Sequence, residues 1–315
     1  MNKGKFVFSL DFELYWGTHH NKKYEVYEPN LEAAVQNLPI ISKLFIKHNA
    51  FFTCASVGML YNSDFEEWHL NTIKSPPNYK NISFSPYDKI SYIENKINAR
   101  HLFAPKILRE IAKDGHEMAT HTYSHFFSLE SGADKVAFEE DLKMSIQIAK
   151  KFGHKFESIV FPRNQFSQEY LDICKKYGIM IYRGNPNSGL FAKSSTKIIF
   201  IVKRILRLLD SVISISGSNS FTPQKDALGM QNISASCFYR SASSFKLNWL
   251  IKLHLRRIKK SMTYSAKKGR VFHLWCHPHN LSSKKDIENL NNILLHFNFL
   301  KEKYNFTCYR MMDFK

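Results

Sequence analysis

Strand, helix and strand alternate from the first residues, and that alternation restricts the chain to a parallel α/β architecture. The opening KFVFSLDFEL (5–14) is rich in β-formers, and its period of two places Ser9, Asp11 and Glu13 on one face. Residues 31–48 have helical composition, and AFFTCASVG reads as a second strand ending at Gly58. A helix is predicted from Pro105 to Gly115, with proline at its start and glycine at its stop. Further on, 134–152 reads as a helix, FESIVFPRNQ as a strand with its exit loop, SQEYLDICKKYG as a helix and IMIYRG as a strand. The pattern returns late with RVFHLWCHPHN, a helix over 284–303 and a last strand, FTCYRM. Residues 62–100 are polar, contain Pro76-Pro77 and Pro86, and are expected to form a long loop or a small excursion.

With 315 residues and 44% hydrophobic composition, a single barrel-like domain over 1–315 is expected, interrupted by an insertion at 185–270. That window is where the charge lies. From Lys193 to Arg270 sixteen Lys/Arg stand against Asp210 and Asp226, which accounts for most of the net charge of +18. Such a block suits a nucleotide-linked substrate, an anionic lipid surface or a solvated face. No zinc-finger or RNA-binding module accompanies it, so nucleic acid is not an expected partner. Within the window, 198–216 is apolar but carries Lys203, Arg204, Arg207 and Asp210 in its middle, which argues against a membrane span. It and WLIKLHLRRIKK (249–260) are expected to be amphipathic helices, packed on the barrel or lying at a membrane interface.

Five cysteines, odd in number and widely spaced, form no Cys-x-x-Cys pair, as expected of free thiols in a reducing cytosol. The apolar run from Phe6 is broken at Asp11, too early for an export signal. A cytoplasmic location is expected, and peripheral contact at the inner face of the membrane is compatible with it.

The stretch DGHEMATHTYSH (114–125) carries His116, His121 and His125 in ten residues. His-Glu-x-x-His fails, because Thr120 stands four beyond His116. His121 and His125 are spaced i, i+4, as on one side of a helical turn. With a carboxylate they make the two-histidine, one-carboxylate set that catalytic zinc uses with an open position, and that iron or cobalt can also occupy. Asp11 and Glu13, at the C-terminal end of the first strand, supply one carboxylate for an ion and one for a base. His116 is expected to be structural, His19 and His20 to be solvated loop histidines, and Trp16, Trp68 and Trp275 to be mostly core.

The order of FSLDFE, AFFTCASVG, KDGHEMATHTYSH and HLWCHPHN resembles the polysaccharide deacetylase family, the NodB-homology carbohydrate esterases, over roughly 1–184 and 270–315. The resemblance implies a distorted (β/α) barrel of about seven strands, here with a basic helical insertion, and metal-dependent removal of acetyl groups from sugars. By position it implies Asp11 as base, Glu13, His121 and His125 as ligands of a divalent metal (zinc first; iron, cobalt or nickel compatible), His277 rather than His279 as acid, and Arg163 steadying Asp11. Two features depart from the common family pattern. Asp-Phe-Glu stands where adjacent aspartates are usual, and Pro162-Arg163-Asn164-Gln165 replaces Arg-Pro-Pro-Tyr. The expected function is therefore a metal-dependent hydrolase acting on an acetylated sugar, nucleotide sugar or lipid-linked glycan. Its rival is a deacetylase-like scaffold that binds glycan without hydrolysing it.

Overall fold

The computed structural model describes residues 3–186, 188–190, 197–245 and 247–315, with side chains from Val202 onward in the helix that begins at Lys197. Lys193 and Lys246 of the basic window lie outside the described residues.

The predicted alternation is present. In chain order the elements are β1 (Lys5–Phe12), α1 (Tyr24–Lys47), β2 (Thr53–Ser56), α2 (Phe65–Leu70), α3 (Ile90–Lys96), α4 (Pro105–Lys113), β3 (Glu117–Thr120), α5 (Lys135–Lys151), β4 (Ser158–Ile159), α6 (Gln168–Lys176) and β5 (Ile181–Tyr182). There follow α7 (Lys197–Ile213), β6 (Gln224–Lys225), β7 (Gln231–Asn232), β8 (Cys237–Phe238), α8 (Asn248–Lys268), β9 (Val271–Cys276), α9 (Lys284–Tyr304) and β10 (Thr307–Tyr309). The sheet runs β6-β7-β5-β4-β3-β2-β1-β9-β8, with β10 also on β1, and every pairing is parallel except β6 with β7.

The fold is the expected distorted α/β barrel, and its closure lies inside the basic window. Residues 231–239 run extended. Ile233 N and Ala235 N donate to Tyr182 O and Gly184 O beside β5, and then Ser236 N and Tyr239 N donate to His273 O and Trp275 O in β9. One segment thus joins both ends of the curled sheet. Taking it as a single stave gives the expected seven, alongside β6 and β10 at the edges. Within the 185–270 window, expected as a basic, partly helical insertion in the barrel domain, this stave runs between β5 and β9 and the helices are α7 and α8. The two-residue ladders of β7 and β8 are too short to show a period in sequence.

Alternation along β1 sorts its side chains. Phe6, Phe8, Leu10 and Phe12 pack outward under the helices, while Val7 joins Ala55, Ala119, Val160, Ile181, Ile233 and Val271 in a second, interior cluster capped by Met311 and Phe314. Ser9, Asp11 and Glu13 follow Val7 on the interior face. The barrel floor is therefore apolar and its C-terminal mouth polar. The loop or small excursion expected at 62–100 contains two short helices, α2 and α3, each anchored by one fully buried side chain, Trp68 and Ile93. Trp68 packs on Trp16 at 5.3 Å. Single anchors on helices of six and seven residues leave no readable periodicity.

Candidate active site

Asp11 and Glu13 leave the end of β1 into a cavity of about 430 Å³ at the barrel mouth. His121 and His125 come from the segment after β3, His277 from the end of β9, and all five side chains line it.

The histidine pair does not sit on a helix. Thr122 and His125 have positive φ (65° and 58°), so the chain loops instead of winding. The loop is tied from below by Asp141 of α5, whose Oδ1 and Oδ2 accept the backbone N–H groups of Tyr123 and Ser124 at 2.6 and 2.9 Å. Thr122 Oγ1 accepts from Phe126 N at 2.7 Å. Burial pushes the Asp141 carboxyl up to about 6 against these donors. The i, i+4 spacing therefore brings the rings together through a loop, which the spacing alone does not distinguish from a helical turn.

His125 Nε2 lies 2.9 Å and His121 Nε2 3.4 Å from Glu13 Oε2. One ligand atom from each of Glu13, His121 and His125 falls within 4.8 Å of the others, and all three residues are buried. His121 Nδ1 is 2.7 Å from the Val160 carbonyl, which is satisfied when Nδ1 carries the proton and leaves the Nε2 lone pair facing the cavity. Burial lowers the pKa of His125 and favours the neutral, ligating form. Its Nδ1 is buried with no hydrogen-bond partner. Burial raises the Glu13 carboxyl, but the surrounding His277, His125 and His121 outweigh it and leave the pKa well below the usual carboxylate range. Gly17 makes room for this carboxylate, because a Cβ there would stand 2.0 Å from Glu13 Cδ. An anionic carboxylate, two nitrogen donors and a cavity on the open side fit a divalent cation.

Asp11 is held by a guanidinium, but not the expected one. Arg183, at the end of β5 and fully buried, donates Nη1 to Oδ1 and Nη2 to Oδ2, both at 2.7 Å. Its Nη1 also reaches Ser9 Oγ at 2.9 Å, its Nε donates to Asn164 Oδ1 at 2.9 Å, and its Cζ stacks 4.2 Å from the Trp275 ring centroid. Burial raises Asp11, yet this bidentate pairing more than offsets it and the net pKa is lowered. Arg163, expected in that role, pairs with Glu130 at 2.6 Å and stacks over Phe84 and Phe127. Arg163 and Asn164 both have positive φ (57° and 51°); Arg163 lines the cavity wall away from Asp11 while Asn164 faces Arg183.

His277 Nε2 stands 3.3 Å from Glu13 Oε1 and 4.0 Å from Asp11 Oδ2. Its Nδ1 is 3.3 Å from Asn280 Oδ1, which also accepts from His277 N at 2.9 Å. His279 stacks behind it at 4.7 Å, and burial pushes its pKa down to about 3, so it is the supporting ring of the two. His116 is structural as expected, stacked 3.7 Å from Phe52 and 3.0 Å from Ser42 Oγ. His19 is not solvated but buried, with neither ring nitrogen bonded, and His20, half-buried, lines the cavity beside His125. The rings of Phe84 and Phe127 pack against them.

Sequence reasoning missed Arg183, Asp141 and Gly17. The one signal for Arg183 was a charged residue closing the apolar run IMIY, where barrel strands place site residues.

One family model matches the chain, over residues 68–182. It is that of the polysaccharide deacetylases. The matched segment holds His121 and His125, while Asp11, Glu13, Arg183 and His277 come from outside it. Comparison with curated proteins finds no match. Among solved structures, a Mycobacterium smegmatis protein assigned as a polysaccharide deacetylase is 13% identical at a TM-score of 0.62, covering 99% of this chain and 88% of its own. One so assigned from Pseudomonas aeruginosa PAO1 is 10% identical at 0.58, covering 98% and 88%. An allantoinase, PuuE, is 11% identical at 0.59, covering 98% and 87%. These likenesses are of fold.

Proposed function

We propose that the chain is a metal-dependent hydrolase that removes an acetyl or other acyl group from an amino sugar. The observation that carries this reading is the Glu13–His121–His125 donor set sharing one cavity with an ion-paired Asp11 and with His277. Glu13, His121 and His125 would hold the cation, zinc being the first candidate. When bound it supplies Lewis-acid polarisation of the acyl carbonyl and lowers the pKa of water.

Asp11 acts as the base. Arg183 occupies one lone-pair direction on each carboxylate oxygen and keeps the group ionised, leaving the remaining lone pairs to accept a proton from water. His277 acts as the acid. Asn280 orients its ring through Nδ1, so that Nε2 faces the cavity and delivers a proton to the departing amine. Arg163 belongs to the cavity wall, not to the base.

The rest of the wall supports a substrate bearing phosphate. Arg207, Arg240 and Arg257 line the same cavity, and Asp210, the acid beside them, is paired with Arg257 at 2.8 Å. Arg240 is paired with no carboxylate among the described residues, and its Nε is buried without a partner. A largely buried cation of this kind is stabilised by an anionic ligand. The substrate is then an acetylated sugar carried on a nucleotide or on a lipid phosphate, and the place of action is the cytoplasm. The free cysteines, four of the five buried, support a reducing compartment.

Two experiments test these assignments. Glu13→Gln and His121→Ala should each abolish the one tightly bound divalent ion measured by elemental analysis of purified wild type; full occupancy in both variants removes the ligand assignment. Arg240→Gln should raise KM for a phosphate-bearing substrate about 10- to 100-fold, as expected for one charged hydrogen bond, with kcat little changed. An equal effect on a neutral N-acetyl sugar would show that Arg240 does not read phosphate.

A further inference from the structure

Helix α7 is amphipathic in the reverse sense. Arg207, Asp210 and Ser211 face inward and line the active-site cavity. Val202, Ile205, Leu206, Leu209 and Ile213, spaced i, i+3, i+4, i+7 and i+11, form the stripe that ordinarily meets a core. Here the stripe is exposed, from 36% at Leu206 to 68% at Ile213, and Leu208 and Ile215 add to it. An uncovered apolar band on a cavity-wall helix marks a surface that meets something other than water.

The neighbourhood of the stripe names its occupant. Helix α8 packs directly on α7. Trp249, 55% exposed, stands on α8 in register with Lys252, Arg256 and Lys260 at i, i+3, i+7 and i+11, and Lys252, Arg256, Lys259 and Lys260 share one shallow depression with Leu255 and His296. Among the described residues none of these four cations is ion-paired with an acid. Of the two aspartates between Lys193 and Arg270, Asp210 is buried against Arg257, and Asp226 accepts the backbone N–H groups of Leu228 and Met230. An apolar stripe, an exposed tryptophan and an adjoining basic row match the interface of a bilayer containing anionic lipid, where hydrocarbon, headgroup and phosphate are met in turn. No helix among the described residues is long and apolar enough to cross a membrane. The helix would lie on the bilayer.

We infer that the outer faces of α7 and α8 form a docking surface for an anionic phospholipid bilayer, so that the membrane bears on the helix that walls the active-site cavity. This surface stands independently of the hydrolase reading, and it is tested without turnover. The full-length protein is sedimented with vesicles of phosphatidylcholine alone and with vesicles containing roughly one third phosphatidylglycerol. Wild type should pellet with the anionic vesicles and be released by salt. Ile205→Glu/Leu209→Glu and, separately, Lys252→Gln/Arg256→Gln/Lys260→Gln should each weaken binding at least about tenfold. Unchanged thermal midpoints in both variants confirm that the substituted positions are surface ones. Absence of wild-type binding to anionic vesicles, or equal binding by the Ile205/Leu209 variant, overturns the inference. So does a wild-type dimer that this variant dissociates, since the stripe then belongs to a second copy of the chain.

Discussion

Asp11→Asn is expected to lower kcat by about 10²- to 10⁴-fold, the usual contribution of a positioned general base, while the bound ion is retained. The substitution keeps the shape of the side chain and removes its charge and basicity. The metal set of Glu13, His121 and His125 does not include Asp11, so occupancy measured by elemental analysis should match wild type. Retained turnover would remove Asp11 as base and shift that role to another cavity carboxylate. Loss of the ion together with turnover would instead make Asp11 a ligand.

Arg183→Met should be the most destabilising single change at the site, by about 3–5 kcal/mol, because it leaves the buried Asp11 carboxylate without its cation. Both partners are essentially inaccessible, with side-chain exposures of 0% and 4%. Arg163→Met is the matched control. Its pair with Glu130 is about one-third exposed on each side, and such pairs contribute about 0–1 kcal/mol. Urea unfolding of the metal-free proteins separates the two variants. The arginine expected from sequence and the arginine found would exchange effects if Arg163 steadied Asp11. The direction of the pH effect follows from the lowered pKa of Asp11. A carboxyl depressed in the fold adds stability above its unfolded pKa and loses it as pH falls through the folded value. In Arg183→Met the burial that raises Asp11 acts unopposed by this partner, so acid should stabilise the variant relative to wild type.

The contrast between these arginines shows what the sequence could carry. Strand alternation in KFVFSLDFEL is a local property, and it placed Ser9, Asp11 and Glu13 together on one face, which the barrel turns inward. The histidines of THTYSH were legible as a cluster by density, but not in their backbone geometry. Thr122 and His125 adopt positive φ in a loop whose intervening N–H groups are accepted by Asp141, on the following helix. Arg183 is 172 positions from Asp11, and no local pattern joins them. The β5 end reaches β1 only through the closed sheet. The stave at 231–239 was hidden for a related reason, since it changes partners midway and neither half is long enough to show a strand period. For α7 the sequence left two settings open, packed on the barrel or lying at an interface, and only its packing shows that the stripe faces outward.

Release of acetate is the most direct test of the proposed chemistry. Metal-loaded wild type, metal-depleted wild type and metal-loaded Asp11→Asn would be incubated with nucleotide-linked and lipid-phosphate-linked N-acetyl sugars, and free acetate measured. Acetate from the metal-loaded wild type alone is the expected result. Silence across the panel from protein carrying one tightly bound ion would contradict hydrolysis of these substrates and favour a deacetylase-like fold that binds glycan without cleaving it.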